Sequence, residues 1–284
     1  MFDRVYVEIG NICNLKCSFC PGTSRAPRQM SKDEFSFVCK SLVGKCEKIY
    51  LHVMGEPLLH PELGEILKTV AKYGFKACIT TNGTLLPRCK ALLLENSDVL
   101  HKVSISLHAP EGNGKDISNG EYLSGVIEAA RELSGRDVNV AFRLWNLDTK
   151  TREGANSENG IIEERLHREY PEPWQKRYSG YRIAYRTFLE YDGIFTWPSE
   201  SRADPEECGT CRALTQQIAI LADGTVVPCC LDSDGNIPLG NIFKETFDEI
   251  LTSPLLVQMR EGFRQRKMIH GMCKKCVYAK RFGG

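Results

Sequence analysis

The first two-thirds of the chain alternates between short stretches with a two-residue apolar repeat and longer stretches with apolar residues every three or four positions. The first pattern is typical of strands and the second of amphipathic helices. Ser31 and Glu34 form a capping-box signal, and Gly44 marks the end of that helix. In chain order, the patterns predict strand Val5–Ile9, helix Ser31–Val43, strand Lys48–Val53, helix Pro61–Tyr73, strand Lys76–Thr81, helix Leu86–Leu94, strand Lys102–Leu107, helix Tyr122–Leu133, strand Val138–Leu144, a helix around Ile161–Glu169 and strand Tyr181–Leu189.

Strands and helices that alternate at this spacing indicate parallel βαβ units and an α/β fold. Periodicity alone leaves open whether six such units form an open barrel or a doubly wound sheet. The proline-containing linker Asp192–Glu207 separates this core from a cysteine-rich tail. We therefore predict a core domain over residues 1–191 and a second domain over residues 192–284. Within the tail, Ile218–Leu221 and Thr225–Val227 flank Asp223-Gly224, which predicts a β-hairpin.

Several predicted strands carry polar residues on one face near their carboxyl ends. Strands buried on both faces are normally apolar throughout, so these residues favour a ligand site at the top of a barrel. The alternative is that strand ends are polar because they are half exposed. The residues concerned are Tyr50 and His52; Thr80 and Asn82; Ser104, Ser106 and His108; Asn139 and Arg143; and Arg182 and Arg186.

Composition and charge exclude several functional classes. The chain has 284 residues, 42% of them hydrophobic and 26% charged, with a formal net charge of +1. This balance predicts no nucleic-acid or membrane partner. We see no signal peptide and no apolar run of the roughly 20 residues that a membrane helix needs, so we expect a cytoplasmic protein. A basic cluster near the C-terminus is interpreted as a solvated helix face and tail. It comprises Arg260, Arg264, Arg266, Lys267, Lys274, Lys275, Lys280 and Arg281.

Thirteen cysteines are the most informative part of the composition. A reducing compartment disfavours disulfides, and an odd count cannot form a fully paired framework, so clustered cysteines are better interpreted as metal ligands. Cys39, Cys46, Cys78 and Cys89 stand apart from the clusters, and we expect each to be a small buried hydrophobe. The clustered cysteines are Cys13, Cys17 and Cys20 near the start, and Cys208, Cys211, Cys229, Cys230, Cys273 and Cys276 in the last third.

The first cluster, Cys13-Asn-Leu-Lys-Cys17-Ser-Phe-Cys20, directly follows the first predicted strand. Three thiolates on one loop can hold a cuboidal iron–sulfur cluster. The iron without a protein ligand would then be open to a substrate or cofactor, as in open catalytic metal sites. A zinc site or incidental cysteines are the alternatives, and a lone triplet fits zinc poorly.

These residues resemble the signature of the radical S-adenosylmethionine (radical SAM) superfamily, Cys-x-x-x-Cys-x-aromatic-Cys, with Phe19 as the aromatic residue. Gly55-Glu56-Pro57 resembles the family segment that binds the cofactor's amino group. The resemblance also implies cofactor contacts from Asn82, Ser104, Ser106 and Arg143. The implied fold is a partial (β/α)6 TIM-like barrel, which answers the question that periodicity leaves open.

The implied cofactors are S-adenosylmethionine and a [4Fe-4S] cluster on Cys13, Cys17 and Cys20. Reductive cleavage of the sulfonium would yield a 5′-deoxyadenosyl radical that removes a hydrogen atom from the substrate. The protein's part is to aim the radical and keep solvent away.

The tail supplies enough thiolates to close a second metal site. Without context, paired Cys-x-x-Cys elements also suit a structural zinc ribbon. Downstream of a radical SAM core, the tail resembles the SPASM/twitch extension in its shortened, single-cluster form. That resemblance implies an auxiliary [4Fe-4S] cluster on Cys211, Cys229, Cys273 and Cys276, with Cys208 and Cys230 spare. A cluster with four protein ligands is suited to electron transfer.

The resemblance implies an oxidoreductase that acts on a small hydroxylated molecule, with a flavodoxin- or ferredoxin-like electron donor. Modification of a peptide or protein side chain is the alternative, and the absence of a leader-binding domain before the first strand counts weakly against it. A non-catalytic iron–sulfur or zinc scaffold is a third possibility, disfavoured by the intact Gly55-Glu56-Pro57. His52, Arg143 and Arg186 are the lumen-facing candidates for catalysis, with the arginines better suited to electrostatic contacts than to proton abstraction.

Overall fold

The protein's structure is a computed structural model that describes residues 1–114, 120–147, 156–193, 195–198 and 204–282. The predicted linker Asp192–Glu207 therefore lies partly outside the described residues. In chain order the helices and strands are β1 (Arg4–Val7), α1 (Lys32–Leu42), β2 (Lys48–Tyr50), α2 (Leu63–Lys72), β3 (Lys76–Thr81), α3 (Leu86–Glu95), β4 (Leu100–Ser106), α4 (Glu121–Gly135), β5 (Asn139–Trp145), α5 (Glu158–Glu169), β6 (Gln175–Arg177), β7 (Gly180–Ala184), β8 (Thr187–Asp192), β9 (Gln217–Ile220), β10 (Thr225–Val227), β11 (Gly240–Asn241), α6 (Phe247–Leu251), α7 (Pro254–Arg264) and α8 (Gly271–Lys274).

The strands form one continuous sheet in the order β11-β10-β9-β1-β2-β3-β4-β5-β8-β7-β6. Strands β1 to β5 and β8 run parallel, and β9 also pairs in parallel with β1. The order ends at β11 on one side and β6 on the other, so the barrel is open. The α/β fold with a parallel TIM-like barrel is confirmed.

Two apolar layers follow from the alternation along the strands. The larger layer fills the space between the sheet and the helices, where Ile49, Val103 and Val140 pack against helix residues such as Phe35 and Leu67. The capping box at Ser31 forms as predicted and starts α1. The smaller layer lies on the opposite, concave face of the sheet. It comprises Tyr6, Val53, Met54, Ala219, Leu221 and Val227, with Tyr50, Trp197 and Cys230 partly buried beside them.

The predicted sixth strand, Tyr181–Leu189, is wrong as a single element. The chain forms the antiparallel pair β7 and β8 instead, and only β8 joins β5 in parallel. The turn between them places Arg186 in the left-handed region, with φ of 49°. Neither Tyr185 nor Arg186 is a residue that commonly signals a tight turn, so the local sequence favours a continuous strand.

The predicted tail hairpin is confirmed as β9 and β10, which pair in antiparallel fashion. The sequence does not predict that β9 extends the core sheet beside β1. Because β10 runs antiparallel to β9, the chain after β10, which carries Cys229, lies toward the amino end of β1. The chain that carries Cys13 follows the carboxyl end of β1, so the two cysteine clusters lie toward opposite ends of these strands.

Candidate functional site

The loop that carries the first cysteines is closed at its base by backbone pairing. Gly10 and Gln29 form an antiparallel bridge, and the Met30 amide donates to the Ile9 carbonyl at 2.8 Å. The Glu56 amide donates to the Ile12 carbonyl at 2.9 Å. The loop is therefore held against the segment that follows β2.

Cys17 receives a close polar contact from a distant part of the chain. The Asn113 side-chain amide donates to the Cys17 sulfur at 3.1 Å, and the Ser18 amide donates to the Gly112 carbonyl at 2.8 Å. Burial raises the pKa of Cys17 to about 11, and the nearby thiols of Cys20 and Cys13 also raise it. Burial also raises the pKa of Cys13. Iron bound at this loop would hold its cysteine ligands as thiolates.

Gly112 and Asn113 were not predicted as part of the site. A Cβ at Gly112 would lie 2.6 Å from the Phe19 ring and 3.0 Å from the Cys17 Cβ, so only glycine allows the loop to approach this closely. The Asn113 contact spans 96 residues along the chain. A sequence pattern within a few residues cannot predict a contact between residues so far apart in the chain.

Gly55-Glu56-Pro57 packs directly against the cysteine loop. Gly55 has φ of +79°, and a Cβ there would lie 2.4 Å from the Gly10 carbonyl oxygen. The buried Glu56 carboxylate accepts from the Asn82 amide at 2.7 Å and from the Leu58 amide at 3.0 Å. Burial raises the pKa of Glu56 while these backbone donors lower it. Glu56 thus joins the ends of two strands, β2 and β3.

Asn82, at the end of β3, reaches across to the cysteine loop. Its side-chain nitrogen donates to Asn14 Oδ1 at 2.9 Å and lies 3.9 Å from the Cys13 sulfur. The Tyr122 hydroxyl donates to the Asn82 carbonyl at 2.8 Å. Ser104 and Ser106 lie on β4, the next strand of the sheet, and complete a row of polar residues along the edge.

Arg143 lies at the mouth of the barrel. Its guanidinium is 3.4 Å from the Asp192 carboxylate, and Arg281 contacts the other oxygen of Asp192 at 3.0 Å. Trp145, two residues beyond Arg143, makes an edge contact with Phe19 at 6.2 Å between ring centroids. The C-terminal segment therefore closes over the same mouth as the cysteine loop.

His52 lies on the concave face of the sheet, in edge contact with the Tyr6 ring at 5.5 Å between centroids. Its Nδ1 is buried and has no hydrogen-bond partner among the described residues. Burial, with a smaller contribution from the positive charge of Arg143, lowers the pKa of His52 to about 3. A neutral imidazole with a spare nitrogen can accept a hydrogen bond or a proton from a bound molecule.

The structure does not bring Arg186 to this site. It lies in the turn before β8, at the opposite end of the strands from Arg143, and pairs with Asp137 at 3.0 Å. Asp137 directly precedes β5. Of the three lumen-facing candidates, only His52 and Arg143 are therefore near each other.

Four cysteines of the tail line one apolar pocket. Burial raises the pKa of Cys229 well above its ordinary value, and that of Cys273 to about 12. Phe263, Met268 and Ile237 line the same pocket and make its wall apolar. The four cysteines are Cys211, Cys229, Cys273 and Cys276. This is the ligand set that the resemblance implies.

The two spare cysteines do not line this apolar pocket. Cys208 is exposed and pairs with Lys267 in an isolated antiparallel bridge. Cys230 points away from the pocket into the concave layer, where it is hydrogen-bonded to Tyr6. All thirteen cysteines lie in the described part of the chain, and no two are joined in a disulfide.

The donor set of this pocket is that of a cubane site, because four cysteine sulfurs are the usual ligands of such a cluster. A zinc ion draws its four ligands to about 2.3 Å from one centre. A cubane spreads them, because each thiolate binds a different iron. The residues present therefore fit the cluster.

Residues 7–156, more than half of the chain, match the radical SAM superfamily. The chain belongs to the radical SAM superfamily. Residues 211–277 match SPASM, an iron–sulfur cluster-binding domain. A radical SAM enzyme with this domain uses S-adenosylmethionine and two [4Fe-4S] clusters as cofactors. None of the helices in the described ranges is long and apolar enough to span a membrane.

One relative in sequence and two neighbours in fold are named with different molecules. The radical SAM enzyme described here is 27% identical over 303 residues to AlbA, an antilisterial bacteriocin subtilosin biosynthesis protein of Bacillus subtilis (strain 168), covering 98% of this chain and 65% of AlbA. Its fold is similar to BtrN in complex with AdoMet and 2-DOIA, with a TM-score of 0.60, 18% identity, and coverage of 98% of this chain and 93% of BtrN. It is also similar to Streptococcus suis SuiB bound to the precursor peptide SuiA, with a TM-score of 0.59 and 15% identity. The similarity covers 97% of this chain and 71% of SuiB.

Proposed function

We propose that this enzyme removes a hydrogen atom from a small hydroxylated molecule and completes a two-electron oxidation of it. The observation that carries the proposal is the single pocket lined by Cys211, Cys229, Cys273 and Cys276. Four protein ligands saturate an auxiliary cluster, so that it cannot bind substrate directly and is left to accept an electron. A substrate that loses a hydrogen atom and then an electron is oxidised by two electrons.

Cys13, Cys17 and Cys20 would hold the radical-generating cluster, with Asn113 as a hydrogen-bond donor to Cys17. The residues that would contact S-adenosylmethionine surround that loop on the neighbouring strand ends. Glu56 would position these residues, because its carboxylate accepts from the Asn82 and Leu58 amides and so joins the ends of β2 and β3. The proposed contacts are Phe19, Gly55, Glu56, Pro57, Asn82, Ser104, Ser106 and Arg143.

When bound, the two clusters and S-adenosylmethionine supply two things: a radical, which removes a hydrogen atom, and an acceptor, which takes up one electron. The oxidation of a hydroxyl to a carbonyl also releases the hydroxyl proton. His52 is the group that would accept it, because its Nδ1 is buried on the concave face and has no hydrogen-bond partner among the described residues. Arg143, held by Asp192, would orient an oxygen of the substrate.

Peptide modification is the second candidate, and the similarity to AlbA over 98% of this chain favours it. The same residues would act in both cases. The two candidates differ only in what fills the concave face beside His52.

The discriminating experiment is hydrogen transfer into deoxyadenosine. Reduced, reconstituted enzyme is incubated with S-adenosylmethionine and either a set of deuterated cyclitols and sugars or a set of deuterated peptides. Deuterium in deoxyadenosine, together with a new carbonyl in a small polyol, is the expected result. Transfer from peptides alone would establish the second candidate. Deoxyadenosine formation with deuterium from neither set would contradict both.

A further inference from the structure

Part of the basic cluster near the C-terminus lies beside the auxiliary site. Arg266, Lys274 and Lys280 line a surface pocket that Cys208, Cys273 and Cys276 also line. We define the basic face as Arg266, Lys267, Lys274, Lys275 and Lys280. All but Lys274 are exposed, and Lys274 is half-buried.

The basic face keeps an excess of positive charge. Its two carboxylates are already engaged, since Lys274 pairs with Glu207 at 2.7 Å and Lys280 pairs with Glu206 at 2.6 Å. Lys267 and Lys275 have no ion pair to any carboxylate in the described ranges. Such a patch attracts negatively charged partners over roughly 8–10 Å at physiological salt.

The ligands of the auxiliary site reach this surface. Lys274 and Lys275 lie between Cys273 and Cys276 in the sequence, so the lysines and two proposed ligands share one turn of chain. Cys273 and Cys276 are half-buried and border both the apolar pocket and the surface pocket. A partner seated on the basic face would lie one protein layer from the auxiliary cluster, and electron transfer is fast only over short distances.

We propose that the basic face docks an acidic one-electron carrier protein, which takes the electron left on the auxiliary cluster. The proposal rests on the proposed function. The substrate radical loses one electron and one proton. The electron passes through the auxiliary site to the oxidised carrier, which becomes its one-electron-reduced form, so one electron is released and one is taken up. A nucleic acid is a poorer occupant, because the chain's net charge is only +1.

The test measures binding of an acidic flavodoxin to the reconstituted enzyme by interferometry, at low and at high salt. The double variant Lys267→Glu/Lys275→Glu should bind at least about tenfold more weakly at low salt, because like charges replace complementary ones. The control variant Lys40→Glu/Lys72→Glu reverses two exposed lysines on α1 and α2, far from the auxiliary site, and should bind as the wild type does. Iron content and circular dichroism confirm that both variants are folded and loaded.

A neutral variant, Lys267→Gln/Lys275→Gln, should lose an intermediate amount of affinity, and wild-type binding should weaken with added salt. Equal losses in the two charge-reversal variants, or binding that salt does not change, would overturn the docking proposal. Tighter binding of polyuridylic acid than of flavodoxin at the same face would overturn it as well. Deoxyadenosine formation with dithionite reports on the proposed function separately: its absence in the wild type would contradict that function whatever the binding data show.

Discussion

Arg25 Nη2 lies 2.6 Å from Glu8 Oε1, and the Glu8 side chain is completely buried. The same carboxylate accepts from the Met54 amide at 3.1 Å and from the Ala222 amide at 3.0 Å. Glu8 therefore joins the cysteine loop, the segment before Gly55 and the end of the tail strand β9. Arg25 extends the connection by donating to the Ser233 carbonyl at 2.8 Å. The two cysteine regions are thus tied together through one buried ion pair.

Replacement of Glu8 by glutamine is expected to destabilise the fold by about 3 kcal/mol, because one partner of a buried ion pair is left uncompensated. Urea unfolding under anaerobic conditions measures this loss. Glu65→Gln is the matched control, since Glu65 pairs with Lys68 at 2.8 Å on the surface, where solvent and salt screen the pair and its contribution to stability is small. Equal effects of the two substitutions would show that the Glu8 pair does not hold the site together.

Substitution of Asn113 by alanine should lower the reduction potential of the radical-generating cluster. A hydrogen bond to a cysteine sulfur stabilises the more negative, reduced state, and a bond to a charged group is worth about 1.5–3 kcal/mol, part of which differs between oxidation states. The expected shift is on the order of tens of millivolts. An electron paramagnetic resonance titration measures it, with Asn236→Ala as a control in the tail. An unchanged reduction potential would show that Asn113 does not donate a hydrogen bond to a ligand of this cluster.

The substitution His52→Gln should leave uncoupled cleavage of S-adenosylmethionine intact and reduce substrate turnover by about a hundredfold or more, as expected for the loss of a general base. The readouts are deoxyadenosine and oxidised product in the same reaction. Parallel loss of both products would indicate a folding or cofactor-binding defect instead. The prediction concerns His52 as a proton acceptor and does not depend on the size of the substrate.

The buried His52 should also make stability depend on pH. Its folded pKa of about 3 lies below the unfolded value of about 6.5, so the unfolded chain binds the proton first. The stability from the neutral ring is present above about pH 6.5 and is lost as the pH falls toward 3. Between pH 6.5 and 5.5, wild type should lose about 1 kcal/mol more than His52→Gln. If the free energy of unfolding of wild type and of His52→Gln changed identically with pH, His52 would be in contact with water rather than buried.

The sequence predicts what is local. Cys13, Cys17 and Cys20 lie within one loop, and the hairpin β9–β10 has its turn residues beside its strands, so pattern and spacing identify both. The sequence does not predict Asn113 beside Cys17, because that contact spans 96 residues. It also misplaces Arg186, since the Tyr185–Arg186 turn carries no glycine or asparagine and is held by the tertiary ion pair to Asp137.

A buried acidic residue in the tail is a further feature that the sequence does not predict. Asp232 is completely buried and accepts from the Asn236 and Ile237 amides, both at 2.8 Å, which fixes the loop after Cys229. In the sequence it is one acidic residue in a polar stretch. Only the fold shows that its carboxylate organises the auxiliary site.

The account depends most on the presence of two separate clusters held by two separate cysteine sets. The direct measurement is iron, sulfide and zinc content of the reconstituted wild type and of the variant Cys13→Ala/Cys17→Ala/Cys20→Ala, with deoxyadenosine formation measured on both. The account predicts about eight iron per chain in the wild type and about four in the variant, no zinc, and deoxyadenosine from the wild type alone. About four iron plus one zinc in the wild type, or a variant that still forms deoxyadenosine, would contradict it.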